Sequence, residues 1–235
     1  MIKKIDSKNM GKGNFEWLKT NYHFSFANYY DPHNIEFGFL RVLNDDIIAP
    51  KSGFDMHPHR NMEIITYVVA GELTHQDSDG HKSLIKRGEL QYMSAGRGIY
   101  HSEYNHSDKP LHLLQIWIKP DQNNLIPSYG ETALPFEERH NQWLKLVSSK
   151  AANDAPVTIN QQASVYVTFL ESGKTLTGDI ADDEMAYLIQ IEGSSVINRI
   201  ELAVRDAMEI LSESIDIKAI ESSHIMLIKM KKQLG

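Results

Sequence analysis

The sequence predicts an all-β fold of two tandem barrel-like units, and three observations lead there. Short segments of strand character recur between turn signals, the pattern of a sandwich or barrel. An octapeptide returns 118 residues further on in similar form, Arg87-Gly88-Glu89-Leu90-Gln91-Tyr92-Met93-Ser94 against Arg205-Asp206-Ala207-Met208-Glu209-Ile210-Leu211-Ser212. The length, 235 residues, accommodates one large domain or two small ones at the roughly 100–150 residues a domain commonly takes.

The strand segments are residues 62–69, 82–85, 89–93, 111–118, 165–170, 185–191 and 224–230, each rich in β-branched, aromatic or aliphatic residues. Asp77-Ser78-Asp79-Gly80 interrupts strand-like sequence with residues that tolerate a left-handed backbone, so it reads as a hairpin tip. Residues 120–143 are polar, carry Pro120, Pro127 and Pro135, and show neither a two- nor a 3.6-residue period. They are expected to link the units, with a short helix within 136–143. A second repeat, Tyr67-Val68-Val69-Ala70-Gly71 against Tyr187-Leu188-Ile189-Gln190 leading to Gly193, lies upstream of the first. The expected units are residues 1–130, with the chemistry, and 131–235, a degenerate copy.

Hydrophobic residues make up 41% of the chain and charged residues 23%, ordinary globular usage that favours neither a disordered nor a fibrous protein. The net charge is −7 and no Lys/Arg run exceeds a pair, so direct nucleic-acid binding is not expected. With no cysteine, disulfides, thiolate metal sites and cysteine nucleophiles drop out together. The opening residues MIKKIDSKNMGKGNF lack an apolar signal core, and no apolar run nears the ~20 residues of a membrane span. The expectation is a cytoplasmic protein with no membrane association.

His57-Pro58-His59 places two imidazoles two residues apart, and in extended backbone such side chains share a face. His101-Ser102-Glu103 repeats the spacing with a carboxylate second, after a segment opened by Gly96 and Gly98. Two strands can thus bring four ligands to one ion. Three imidazoles and one carboxylate suit a borderline divalent metal better than Ca or Mg, and four ligands leave open positions on an octahedron. Glu63 shares parity with His59 but lies roughly 13 Å along at about 3.3 Å per residue if the strand continues. It ranks behind Glu103, as an outer group or alternate ligand. His33, His75, His81, His106 and His112 are expected to be structural or exposed; His23 is expected to pack. By the 118-residue offset the ligand positions His101 and Glu103 become Ala219 and Glu221, and only His140 and His224 remain in the second half. That half is therefore expected to be structural.

The order of these motifs resembles the two cupin motifs, and more closely the pirin family. The resemblance rests on His23-Phe24-Ser25-Phe26-Ala27-Asn28-Tyr29-Tyr30-Asp31-Pro32, on HPHRNMEIITYVVAGELTHQDSDG and on MSAGRGIYHSEYN, in family order across residues 17–118. Ser94 stands where the general second cupin motif commonly has proline. The resemblance implies a bicupin of two jelly-roll-like β-barrels. It implies that His57, His59, His101 and Glu103 hold one divalent transition metal ion, iron first, with Cu, Mn, Ni, Co or Zn also compatible. It also implies a dioxygenase like the bacterial quercetin 2,3-dioxygenase-type members, cleaving a flavonol or related phenol with dioxygen. Glu103 or Glu63 would serve as the general base for the substrate hydroxyl. The alternative is a non-enzymatic, metal-dependent regulator acting through a protein partner; only the oxygenase consumes dioxygen.

Overall fold

The computed structural model describes residues 1–232. Its contacts divide the chain into one unit of residues 11–134 with 159–161, and another of residues 1–10, 135–158 and those from 162 onward. By contacts the division falls at 134/135 where the sequence suggests 130/131, and residues 1–10 pack with the second unit. Strand β1 (Ile2–Ile5) pairs antiparallel with Ala207–Leu211, far along the chain. Sequence alone carries no signal for so distant a pairing.

In the N-terminal unit the chain forms β2 (Gly11–Asn14), β3 (Leu18–Tyr22), β4 (Leu40–Ile48), β5 (Ser52–His59), β6 (Glu63–Ala70) and β7 (Glu72–Asp77). It continues through β8 (Lys82–Lys86), β9 (Leu90–Ser94), β10 (Ile99–Asn105), β11 (Leu111–Ile118) and β12 (Ser128–Thr132). A seven-stranded sheet runs β12-β9-β6-β11-β4-β3-β2, and a four-stranded sheet runs β5-β10-β7-β8. The turn between β7 and β8 falls on the expected Asp77–Gly80 segment, with Gly80 at φ +96°. β12 corrects the linker reading of residues 120–143: it pairs with β9 from Ser128↔Ser94 to Thr132↔Leu90. A polar strand at a sheet edge buries too little apolar surface to announce itself by alternation.

Two apolar clusters tie the sheets together. Val68, Leu113, Ile48 and Leu18 of the large sheet pack with Leu73 and Ile85 of the small one. Ile64 and Met93 pack with Ile99 and Ala95. A polar cross-strand row also crosses the large sheet, with Asn44 opposite Gln115, Gln115 opposite Thr66, and Thr66 opposite Gln91. All four are buried, and uncompensated polar burial is costly. The row marks where a polar centre sits inside the barrel.

The C-terminal unit repeats the plan. Its larger sheet includes Ala207–Leu211 beside Glu184–Glu192, as β9 lies beside β6, so the octapeptide repeat occupies equivalent strands. Its smaller sheet joins Thr175–Gly178, Ile215–Ala219, Ser195–Ile197 and Ile200–Leu202. The inward residues Ile215, Ile217 and Ala219 belong to an apolar core with Leu188 and Met208. The short helix foreseen within 136–143 is a 3₁₀ turn, Phe136–Arg139. Among the described residues, no helix is long and apolar enough to cross a membrane.

Candidate metal centre

β5 and β10 lie side by side with His57 opposite His101, so the two i, i+2 pairs project from adjacent strands. Between His101 and Glu103 the register slips, with Glu103 opposite Phe54. Such a bulge re-aims side chains where a barrel carries its site. The ring nitrogens of His57, His59 and His101 lie within 4.8 Å of one another, close enough to meet on one ion. His57 Nδ1–H donates to the carbonyl oxygen of Asp55 at 2.7 Å, which leaves Nε2 as the lone-pair nitrogen. A backbone carbonyl that fixes the tautomer is the usual support of a ligating imidazole.

His101 is fully buried and neither of its ring nitrogens has a hydrogen-bond partner. A buried imidazole left in that state is what a metal would satisfy. Burial and then the neighbouring imidazoles push His101 and His59 down to about 3. Both rings are therefore neutral, the form that binds a cation.

Glu103 is buried at 1% exposure, and its oxygens accept from Thr66 Oγ1 at 2.7 Å and Gln115 Nε2 at 2.5 Å. Burial raises its pKa, while those hydrogen bonds and the nearby imidazoles oppose the rise. Glu103 lies within 4.8 Å of His101 and also of His75, so two triads share His101: His57/His59/His101 and His75/His101/Glu103. Neutral imidazole nitrogens with one carboxylate form a donor set that fits a borderline transition metal.

His75, assigned by sequence to a structural or exposed place beside the hairpin, is wholly buried and lies opposite Glu103 in register. Burial lowers its pKa, and its Nε2 sits 3.7 Å from Asp77 Oδ2. Its ring stacks on Tyr129, which stacks in turn on His81. Its one sequence signal is the spacing His75-x-Asp77, the same i, i+2 step as the ligand pairs.

Glu63 lies away from this centre. Its carboxylate accepts from Tyr92 Oη at 2.5 Å, Ser94 Oγ at 2.7 Å and the backbone N–H of Asn160 at 2.9 Å, and it belongs to neither triad. Thr66, three residues on along β6 and so of opposite parity, is the residue that reaches Glu103. The expectation of Glu63 as alternate ligand or base is thereby corrected. The chain turns at Asn61, φ +50°, and begins a new strand, so parity with His59 does not carry across. Ser94, at the motif's usual proline position, is one of the groups that hold Glu63.

A cavity of about 160 Å³ opens beside the triad, with His57, His59 and Glu103 in its wall. Phe26, Phe54 and Trp117 supply its apolar surface; Asn44, Asp46 and Gln115 supply a polar end. Trp117 meets the His59 and Phe26 rings edge-on, with centroids at 4.8 and 5.4 Å. A larger hollow, about 530 Å³, lies in the C-terminal unit among Thr175, Asn198 and Lys218 with no histidine in its wall. There His140 and His224 sit against Phe136 and Phe169.

Residues 5–118 match the Pirin family, and residues 146–230 match the quercetinase C-terminal cupin domain. A protein named quercetin 2,3-dioxygenase from Escherichia coli strain K12 is 38% identical over 232 residues, 98% of this chain and 99% of the relative. A pirin-like protein of Caulobacter vibrioides is 40% identical over 229 residues, 97% of this chain and 99% of its own. Escherichia coli YhhW superposes with a TM-score of 0.93 at 36% identity over the whole of both chains. The nickel(II) complex of that bacterial pirin gives 0.92, covering 99% of this chain and all of its own. Shared motifs, paired barrels and full-length similarity agree, and this chain belongs to the pirin family of bicupin proteins.

Proposed function

We propose that the N-terminal barrel holds one divalent transition metal ion through His57, His59, His101 and Glu103 and uses it to cleave a flavonol or related phenol with dioxygen. The observation that carries this reading is the cluster of imidazoles, two of them kept neutral by burial, fronting an aromatic-walled cavity with a buried carboxylate beside it. The names of the relatives and the nickel(II) complex of YhhW support it; iron leads the other candidates Cu, Mn, Co and Zn by resemblance.

Bound there, the metal supplies Lewis acidity towards substrate and dioxygen. The chain supplies the rest. The Asp55 carbonyl fixes His57 with its Nε2 lone pair outward. Thr66 and Gln115 hold Glu103 in one orientation, and its carboxylate receives the proton of the substrate hydroxyl. Phe26, Phe54 and Trp117 flank the flat ring and keep water from the electron-rich enolate that the transfer leaves. Cytoplasmic residence is part of the same proposal.

The test is oxygen uptake by protein loaded separately with iron, nickel, copper, manganese and cobalt, with quercetin as substrate. The reading predicts oxygen consumption matched by carbon monoxide release in at least one form and its loss in His101→Ala. Absence of uptake with every metal over a panel of flavonols contradicts it, and favours the regulatory alternative.

A further inference from the structure

At the polar end of the cavity Gln115 serves Glu103, but Asn44 and Asp46 take no part in the chemistry above. Asn44 and Asp46 stand two apart on β4 and so face the same way. They are only 4% and 2% exposed, yet both line the cavity. Asn44 Oδ1 and Asp46 Oδ1 have no hydrogen-bond partner. Buried polar atoms are almost always satisfied, and two unsatisfied acceptors in one cavity wall call for a donor from outside the chain. Burial lifts the Asp46 carboxyl to about 7, against a hydrogen bond from Thr20 and with the charges of Asp45 and Glu103 adding to the rise.

The chemistry of the occupant follows from these atoms. A ligand carrying its own carboxylate or phosphate at this end would meet Asp46 and Glu103, both acids. A hydroxyl donates to the free acceptors without adding charge. Phe26, Phe54 and Trp117 ask for a flat apolar body between them. The volume, about 160 Å³, sets its size, since an apolar cavity of about 150 Å³ accepts one benzene ring.

Building on the phenol reading of the metal centre, we propose that Asp46 and Asn44 form an acceptor subsite for the hydroxyls of one hydroxylated aromatic ring inserted beside that centre. The remaining rings of a larger substrate lie outside the cavity. Asp46 is thus a positioning residue that binds the ring and is not a ligand of the metal.

The probe is 4-nitrocatechol, titrated into the nickel(II)-loaded full chain and followed by its absorbance. Wild type should bind it, and Asp46→Leu should weaken binding by about tenfold or more, as expected when a hydrogen bond to a charged or buried acceptor is lost. Asp46→Asn, which keeps an acceptor oxygen, should restore part of the affinity, and Asn44→Leu should weaken it. Nickel affinity, measured separately, should be unchanged in all three. Should Asp46→Leu fail to fold, Asp46→Asn and Asn44→Leu carry the test, each expected to bind more weakly than wild type. Equal 4-nitrocatechol affinity in wild type and the folded variants overturns the subsite while leaving the phenol reading intact. Loss of nickel from an Asp46 variant also overturns it, by making Asp46 part of the metal centre. Failure of nickel-loaded wild type to bind 4-nitrocatechol or any flavonol overturns the phenol reading itself, and the subsite with it.

Discussion

Two glutamates, Glu63 on β6 of the larger sheet and Glu103 on β10 of the smaller one, differ in what surrounds them. Glu103 is steadied by Thr66 Oγ1, which also bonds Gln115 Oε1 at 3.0 Å, so one hydroxyl organises the carboxylate and its amide neighbour. Thr66→Val keeps the shape and removes that hydroxyl. Metal affinity is expected to fall about 10–100-fold, the usual effect of losing a group that orients a ligand. Glu63→Gln is expected to do the reverse, leaving metal affinity near wild type while lowering stability by about 1–3 kcal/mol, because the amide faces the donors of Ser94 and Asn160. Metal titration and urea unfolding of the two variants separate the roles. Sequence spacing alone brought His57, His59, His101 and Glu103 together on two strands. The burial of His75 and the surroundings of Glu63 escape local pattern for one reason: the face a residue presents depends on where a strand begins and what it pairs with. His75 faces Glu103 only through the β7–β10 register, which no local pattern reveals.

At the scale of elements, the pairing of β5 with β10 sets the geometry of the centre. Gly53 lies opposite Tyr104, and a Cβ built there would strike the Glu103 carbonyl oxygen and the Tyr104 Cα, both backbone. Neither can move aside as a flexible side chain could. Gly53→Ala is expected to push β5 from β10, lowering the thermal midpoint and the metal affinity together, because His57 and Glu103 are carried on the separated strands. Differential scanning calorimetry with and without nickel checks both; a fall in stability at unchanged affinity counts against strand spacing as the determinant. The main strands were legible because they are apolar: residues 111–118 were read as a strand and coincide with Leu111–Ile118. β12 was not, since its sequence SYGET is polar and it lies at an edge. It nonetheless brings Tyr129 onto His75.

For the whole molecule, buried titratable groups make the metal-free protein sensitive to acid. Burial lowers His23 to about 4 and His59 and His101 to about 3, and lowers His75 as well. Below the ordinary histidine value of about 6.5 the unfolded chain takes up protons that these four native rings refuse, so stability is lost as pH falls from there towards 4. Asp46, raised to about 7, and Glu103, also raised, act in the opposite sense, since the native state holds their protons first. Four groups against two give a net loss, and the melting temperature of the apo protein is expected to drop between pH 6.5 and 5; a flat or rising profile contradicts the burial pattern. The two-barrel plan was legible through the octapeptide repeat, whose copies occupy equivalent strands. In the C-terminal barrel Ile215, Ile217 and Ala219 fill the inner face, which argues for about one ion per chain.

The most direct test of the central claim is calorimetric titration of nickel(II) into the metal-free protein at neutral pH, comparing wild type with His101→Ala and Glu103→Ala. The account predicts about one site per chain in wild type, supported by the His57/His59/His101 cluster and the buried Glu103, and a loss of affinity in each variant. Wild-type affinity in both folded variants would contradict it.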